Sequence, residues 1–264
     1  MYEDKWNIFF LWRNLTTQDN FHWSLEVFQM LVEENSDWED ISRMKCWENL
    51  SKTKNFPWSV ELIKKYKYYW DFHKLSTNES ISFSLIELTI NHGIHGINYW
   101  NWEQLSHGQK VPWSILLIEK HADYWSWRGL SSNPYLPWSN ELINKFKEKW
   151  DYDWLSLNTG IPWSEELIRT YKDTLNWKHL SRNEGLPWTL ELIERYKDKW
   201  NWSELSKTYG LPWTLKLIIK YKDKWDLDMF KFNEGIYEKI FRPLLDDDFI
   251  EEIMAEIIKL NPKK

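Results

Sequence analysis

The sequence has little of what chemistry usually needs. A single cysteine, Cys46, in 264 residues excludes an intramolecular disulfide and a Cys-based zinc site, and suits a reducing, cytoplasmic compartment. No apolar run approaches the roughly 20 residues that a membrane-spanning helix needs. The apolar run Ile8 to Trp12 is also too short for a signal peptide. Positive charge is not in excess: the formal net charge is −6 and the pI is near 5.7. No global field therefore exists to hold a phosphate backbone, and nucleic acid is not an expected partner. No phosphate-cradling glycine loop, nucleophile elbow or metalloprotease helix motif occurs. Catalytic residues, a metal and a cofactor are accordingly not assigned, and the chain reads as a non-enzyme.

What is present in excess is tryptophan, 22 residues in all. Pro-Trp pairs stand at Pro112-Trp113, Pro137-Trp138, Pro162-Trp163, Pro187-Trp188 and Pro212-Trp213, each 25 residues after the last. Pro57-Trp58 joins the series, Phe83 follows Trp58 by 25 residues, and Trp23 begins it. With the Trp position called slot 0, Leu-Ile fills slots 4 and 5, as in Leu62-Ile63 and Leu192-Ile193. Slot 8 is mostly aromatic, slot 12 mostly Trp, slot 14 aromatic and slot 17 Leu. Nineteen of the 22 tryptophans fall in slots 0, 12 and 14. Two insertions, near residues 28–46 and 89–99, interrupt the ruler.

Slots 0, 4, 5, 8 and 12 form one stripe at helical period, which predicts an amphipathic helix of about three turns. Ser or Thr at slot 1 and Asp, Asn or Ser at slot 13 are N-cap residues, so a second, very short helix begins at slot 13. Asn at slot 20, Gly at slot 22 and the next Pro end it. Such a unit cannot bury its own apolar face, whereas stacked neighbours can. The expectation is an all-α chain: an α-solenoid of about eight 25-residue two-helix repeats over residues 1–235, with residues 236–264, including the helix Asp247–Leu260, as a C-terminal cap.

The phrase Leu-Pro-Trp-Ser…Glu-Leu-Ile…Lys-Asp-Lys-Trp-Asn-Trp…Leu-Ser resembles that of uncharacterised Trp-rich short tandem-repeat proteins, over residues 5 to 235. The resemblance implies a helical array and no activity. The unit is shorter than tetratricopeptide or ankyrin repeats and lacks their signature residues.

Candidate binding residues come from departures within the repeat. Slots 15 and 16 vary against a nearly fixed frame, carrying His73-Lys74, Arg128-Gly129, Asp153-Trp154 and Lys178-His179 among others. A constant scaffold presenting variable residues at one height is how modular binders read an extended partner. Trp154 is the one tryptophan in those slots, with Arg128, Lys178 and His179 on adjacent rungs, so a protein or peptide is the leading partner. Lysines recurring at slots 7, 9 and 11 offer a different use, a small phosphorylated or aromatic ligand held between lysines and rings. Acidic residues at slot 10 and Glu-to-Lys pairs four apart argue instead for a solvated face. His92 and His95 lie in the second insertion, three residues apart. That spacing can share a metal, yet no cysteine is near and Glu87 and Glu103 lie outside the loop. The insertion therefore reads as tolerated or ligand-shaping.

Overall fold

The computed structural model describes residues 11–12, 14–18, 21–33, 45–91 and 99–244. The expected cap helix Asp247–Leu260 lies outside the described residues. The chain divides into two compact units, Met1–Pro137 and Trp138–Lys264. Among the described residues all regular structure is helical, with no strand.

In the first unit the helices Val60–Lys65, Phe83–Asn91 and Ile115–Lys120 alternate with Phe72–Thr77, Trp102–Ser106 and Trp127–Ser132. In the second, Asn140–Lys145, Glu165–Tyr171, Leu190–Arg195 and Leu215–Lys220 alternate with Tyr152–Leu157, Trp177–Leu180, Trp202–Leu205 and Leu227–Phe230. Both expected starts are present. Ser59, Ser114, Ser139, Ser164, Thr189 and Thr214 each accept the backbone N–H of the slot-4 Leu. Asp71, Asn101, Ser126, Asp151, Asn176 and Asn201 cap the second helix in the same way. Asp226 carries no side-chain cap bond.

The first helix corrects the sequence reading. It spans nine residues at Leu25–Glu33 and Phe83–Asn91 and only six or seven in the other copies, short of three turns, and in those shorter copies the chain continues as hydrogen-bonded turns to slot 12. In a continuous helix, slots 0 and 12 would stand about 18 Å apart along the axis. Their rings instead meet, with centroids 5.0 Å apart for Trp58–Trp70, Trp113–Trp125, Trp188–Trp200 and Trp213–Trp225. Folding back at slot 8 brings both ends of the stripe into one core. The slot-12 rings Trp70, Trp100, Trp125, Trp150, Trp200 and Trp225 are all buried. Several slot-0 and slot-14 rings are only half-buried, Trp58, Trp138, Trp177 and Trp202 among them.

Three kinds of hydrogen bond recur where one helix pair meets the next. At slot 18, a serine hydroxyl donates to the carbonyl four residues back and accepts the slot-13 N–H of the following pair. Ser51 does so with Trp47 (2.7 Å) and Asp71 (3.0 Å). Ser76, Ser106, Ser156, Ser181 and Ser206 serve Asn101, Ser126, Asn176, Asn201 and Asp226 in turn. At slot 20, a buried Asn sends its amide back to the slot-18 and slot-20 carbonyls of the preceding pair. Asn78 reaches Ser51 O and Thr53 O, Asn183 reaches Ser156 O and Asn158 O, and Asn233 reaches Ser206 O and Thr208 O. The slot-0 indole N–H then adds a donor to the slot-20 carbonyl, from Trp58 to Thr53, Trp113 to Gly108, Trp163 to Asn158, Trp188 to Asn183 and Trp213 to Thr208. Buried backbone carbonyls need such partners, and here side chains supply them.

Candidate interaction surface

The serine rung fixes where the variable residues stand. Slot 15 is the second residue of each short helix, two after the slot-13 cap and two before the buried slot-17 Leu. In the first unit His73, Glu103 and Arg128 are exposed; in the second Asp153, Lys178 and Asp228 are exposed and Ser203 is half-buried. Slot 16 is more enclosed. Lys74, Trp154, His179, Glu204 and Met229 are half-buried, and Gly129 is buried.

Within the second unit, Trp154, Lys178 and His179 occupy successive rungs. The Trp154 backbone N–H bonds the Asp151 cap at 3.2 Å, so the indole rides on the first turn of its helix. His179 Nδ1 meets Asp153 O at 3.1 Å, and Asn176 Nδ2 donates to Asp153 Oδ1 at 2.6 Å. Neighbouring rungs are thus in direct contact. Ser203 Oγ donates to Asp226 Oδ2 at 2.8 Å in the same register. Arg128, His73 and Lys74 belong to the first unit, where His73 Nδ1 accepts from Asn101 Nδ2 at 2.5 Å. His92 and His95 lie outside the described residues. Among the described residues no group of three or more His, Cys, Asp or Glu side chains is placed to hold a metal ion, and no helix is long and apolar enough to cross a membrane.

The recurring lysines are drawn into the packing of the pairs. Lys199 lies 3.5 Å from Asp173 and over the Trp177 ring at 5.6 Å; Lys224 repeats this with Asp198 at 3.4 Å and Trp202 at 5.4 Å. Each lysine thus meets a carboxylate and an indole of the preceding pair, which offsets positive charge along that face. Glu194 is a hub of the same kind, paired with Lys220, Tyr221 and Lys197. Hydrogen bonds from Lys220, then Tyr221 and Lys197, hold its carboxyl down at about 2. A depressed carboxylate stabilises the fold above its unfolded pKa and ceases to do so as pH falls through its folded one. The Glu194 contribution is therefore complete above about pH 5 and lost as pH approaches 2. Side-chain carboxyl NMR should show a midpoint near 2 for Glu194, rising toward the ordinary carboxylate range in Lys220→Ala; an unchanged midpoint in that variant would remove Lys220 as the cause.

The serine and asparagine rungs are what sequence reasoning missed. Their signal was present, since Ser follows the slot-17 Leu in almost every pair and Asn recurs at slot 20. A second omission is a cleft of about 670 Å³ in the first unit, lined by residues that include Ser76, Asn78, Phe83, Gln104, Gly108 and Lys110, which coincides with the departure from the Pro-Trp pattern at Phe83. No protein-family model, curated protein or solved structure matches the chain.

Proposed function

We propose that the chain is a cytoplasmic α-solenoid of about eight two-helix repeats, acting as a non-enzymatic scaffold that binds a protein or peptide along its slot-15 row. The observation that carries this reading is the contrast between frame and rung. Within each unit, recurring serine bonds, joined at most slot-20 positions by an asparagine or threonine bond, tie one short helix to the next, while the slot-15 residue they hold out changes from step to step. A rigid row of dissimilar side chains reads an extended partner position by position, and its pre-ordered geometry lowers the entropic cost of binding. Trp154 supplies the apolar anchor, and Lys178 and His179 supply polar contacts beside it.

The test places a photo-crosslinking benzoylphenylalanine at Lys178 or Asp228, on the row, and at Lys147, exposed on a different slot. The same partner should be captured from host cells at both row positions and not at Lys147. Equal capture at all three would remove the row as the binding face. Trp154→Ala is expected to weaken that partner by at least about 2 kcal/mol, the usual worth of an aromatic anchor. Because the ring is half-buried, a thermal melt of the variant is measured beside the affinity. Lost stability with intact affinity would assign Trp154 to the frame.

A further inference from the structure

Two of the three recurring bonds are absent at one and the same place. Ser76 and Asn78 occupy slots 18 and 20, so their carbonyls stand where an amide from the next slot 20 and an indole from the next slot 0 normally arrive. The next slot 20 is Gly108, which has no side-chain amide, and the next slot 0 is Phe83, which has no indole N–H. The serine rung persists, with Asn101 N donating to Ser76 Oγ at 2.8 Å. Asn78 O receives only the local Ile81 N–H, at 3.1 Å. The corresponding Asn158 O receives both Asn183 Nδ2 and Trp163 Nε1, at 3.2 and 3.0 Å. The cleft of about 670 Å³ opens at this position, with Ser76, Asn78, Phe83 and Gly108 in its wall and Gln104 and Lys110 beside them. Its size is that of a small-molecule site.

We infer that this cleft binds a flat aromatic ring bearing an N–H donor, of the indole class, whose N–H bonds the Asn78 or Ser76 carbonyl. At Trp58, Trp113, Trp163, Trp188 and Trp213 an indole N–H meets the equivalent carbonyl while its ring packs against the core, so the acceptor and the apolar wall stand in the arrangement that such a ring requires. Phe83 is buried and lies against Trp125 with centroids 5.9 Å apart, which keeps an aromatic floor under the site. Ser76 O receives no hydrogen bond among the described residues, so a ligand that enclosed it without a donor would leave it unsatisfied, and that penalty selects for the N–H. The same ring arrives either as a free metabolite or as a tryptophan side chain of a peptide. The inference does not depend on the reading of the slot-15 row.

The test is ¹⁹F NMR of 5-fluoroindole with the full chain. Broadening of the fluorine line on addition of protein is expected, together with about tenfold weaker binding of 5-fluoro-1-methylindole, which lacks the donor. Displacement by indole alone identifies a free-metabolite site, and displacement by N-acetyl-tryptophanamide identifies one that accepts a peptide side chain; either supports the inference. Phe83→Trp restores the missing indole and should abolish binding while the thermal midpoint stays at or above that of the unaltered protein. Gly108→Asn restores the amide and should also weaken binding. Its Cβ would stand 3.0 Å from Leu105 O and 3.1 Å from Val111 Cγ2, so it serves as the second variant. Equal affinity for the N-methyl compound, unchanged binding to folded Phe83→Trp, or no binding at about 1 mM ligand would overturn the inference.

Discussion

Trp163→Ala is expected to lower the stability of the protein by about 3–5 kcal/mol, the cost of deleting a large buried aromatic ring. Trp163 is buried, and its indole N–H bonds Asn158 O at 3.0 Å. Slot 12 in this pair is Leu175 rather than tryptophan, so no slot-12 indole lies against Trp163 to relax into the cavity. The lost bond adds less than the lost ring, because Asn183 Nδ2 still serves the same carbonyl at 3.2 Å. Trp163→Phe should therefore fall between the two, retaining most of the apolar contact and losing the N–H, at about 1–2 kcal/mol. Set against the 5–15 kcal/mol of a typical domain, the alanine variant loses a large share of the total. Urea melts of the three proteins decide it. Coincident curves for Trp163→Ala and the unaltered chain would show that this ring is a surface feature.

The phase of the repeat was legible because proline and the capping residues act locally. Pro57, Pro162 and Pro187 bar a helix from crossing slot −1, and hydroxyls such as Ser59 and Thr189 accept N–H groups only three residues away. The single three-turn helix was a misreading with a definite origin. Spacings of four between slots 0, 4, 8 and 12 are what a helix produces, and they are equally what a short helix followed by a turn produces when each aromatic points inward. Trp58 and Trp70 meet at 5.0 Å only in the second arrangement. The asparagine rung was hidden for a related reason. Asn at the end of a helix is a stop signal, and Asn78 and Asn183 do stand at C-caps or just beyond, so the local role concealed the partners 25 and 27 residues away. Non-local bonds leave no periodic trace beyond the repeat itself. Of the candidate binding residues, Lys178, Arg128 and His73 stand exposed, as a variable slot suggests. The enclosure of His179 follows from its ring meeting Asp153 O of the preceding rung, a direction that spacing alone does not specify.

Replacing the buried asparagine of a single rung should be nearly as damaging as removing a core ring. Asn183 is 2% exposed. Its Nδ2 donates to Ser156 O at 2.8 Å and to Asn158 O at 3.2 Å, and its Oδ1 accepts the Gly185 N–H at 2.8 Å. Leucine has a similar volume and none of these groups. In Asn183→Leu the Asn158 carbonyl keeps the Trp163 indole, whereas the buried Ser156 O loses its partner and the exposed Gly185 N–H turns to water. The unsatisfied Ser156 O costs about 1–3 kcal/mol and the lost Gly185 bond about 1 more, so a loss of about 2–4 kcal/mol is expected. Alanine opens space through which water can reach the stranded carbonyl, and Asn183→Ala should be the milder change. Threonine is milder still, because the chain already uses it on this rung: Thr208 Oγ1 donates to Ser181 O at 2.9 Å. The expected order of stability in urea is Asn, then Thr, then Ala, then Leu. Hydrophobic burial alone would place Leu above Thr, since the leucine side chain removes more apolar surface from water. Finding Asn183→Leu at least as stable as Asn183→Thr would therefore show that apolar packing at this position outweighs the bonds, and would reduce the rung to an incidental feature of the interface.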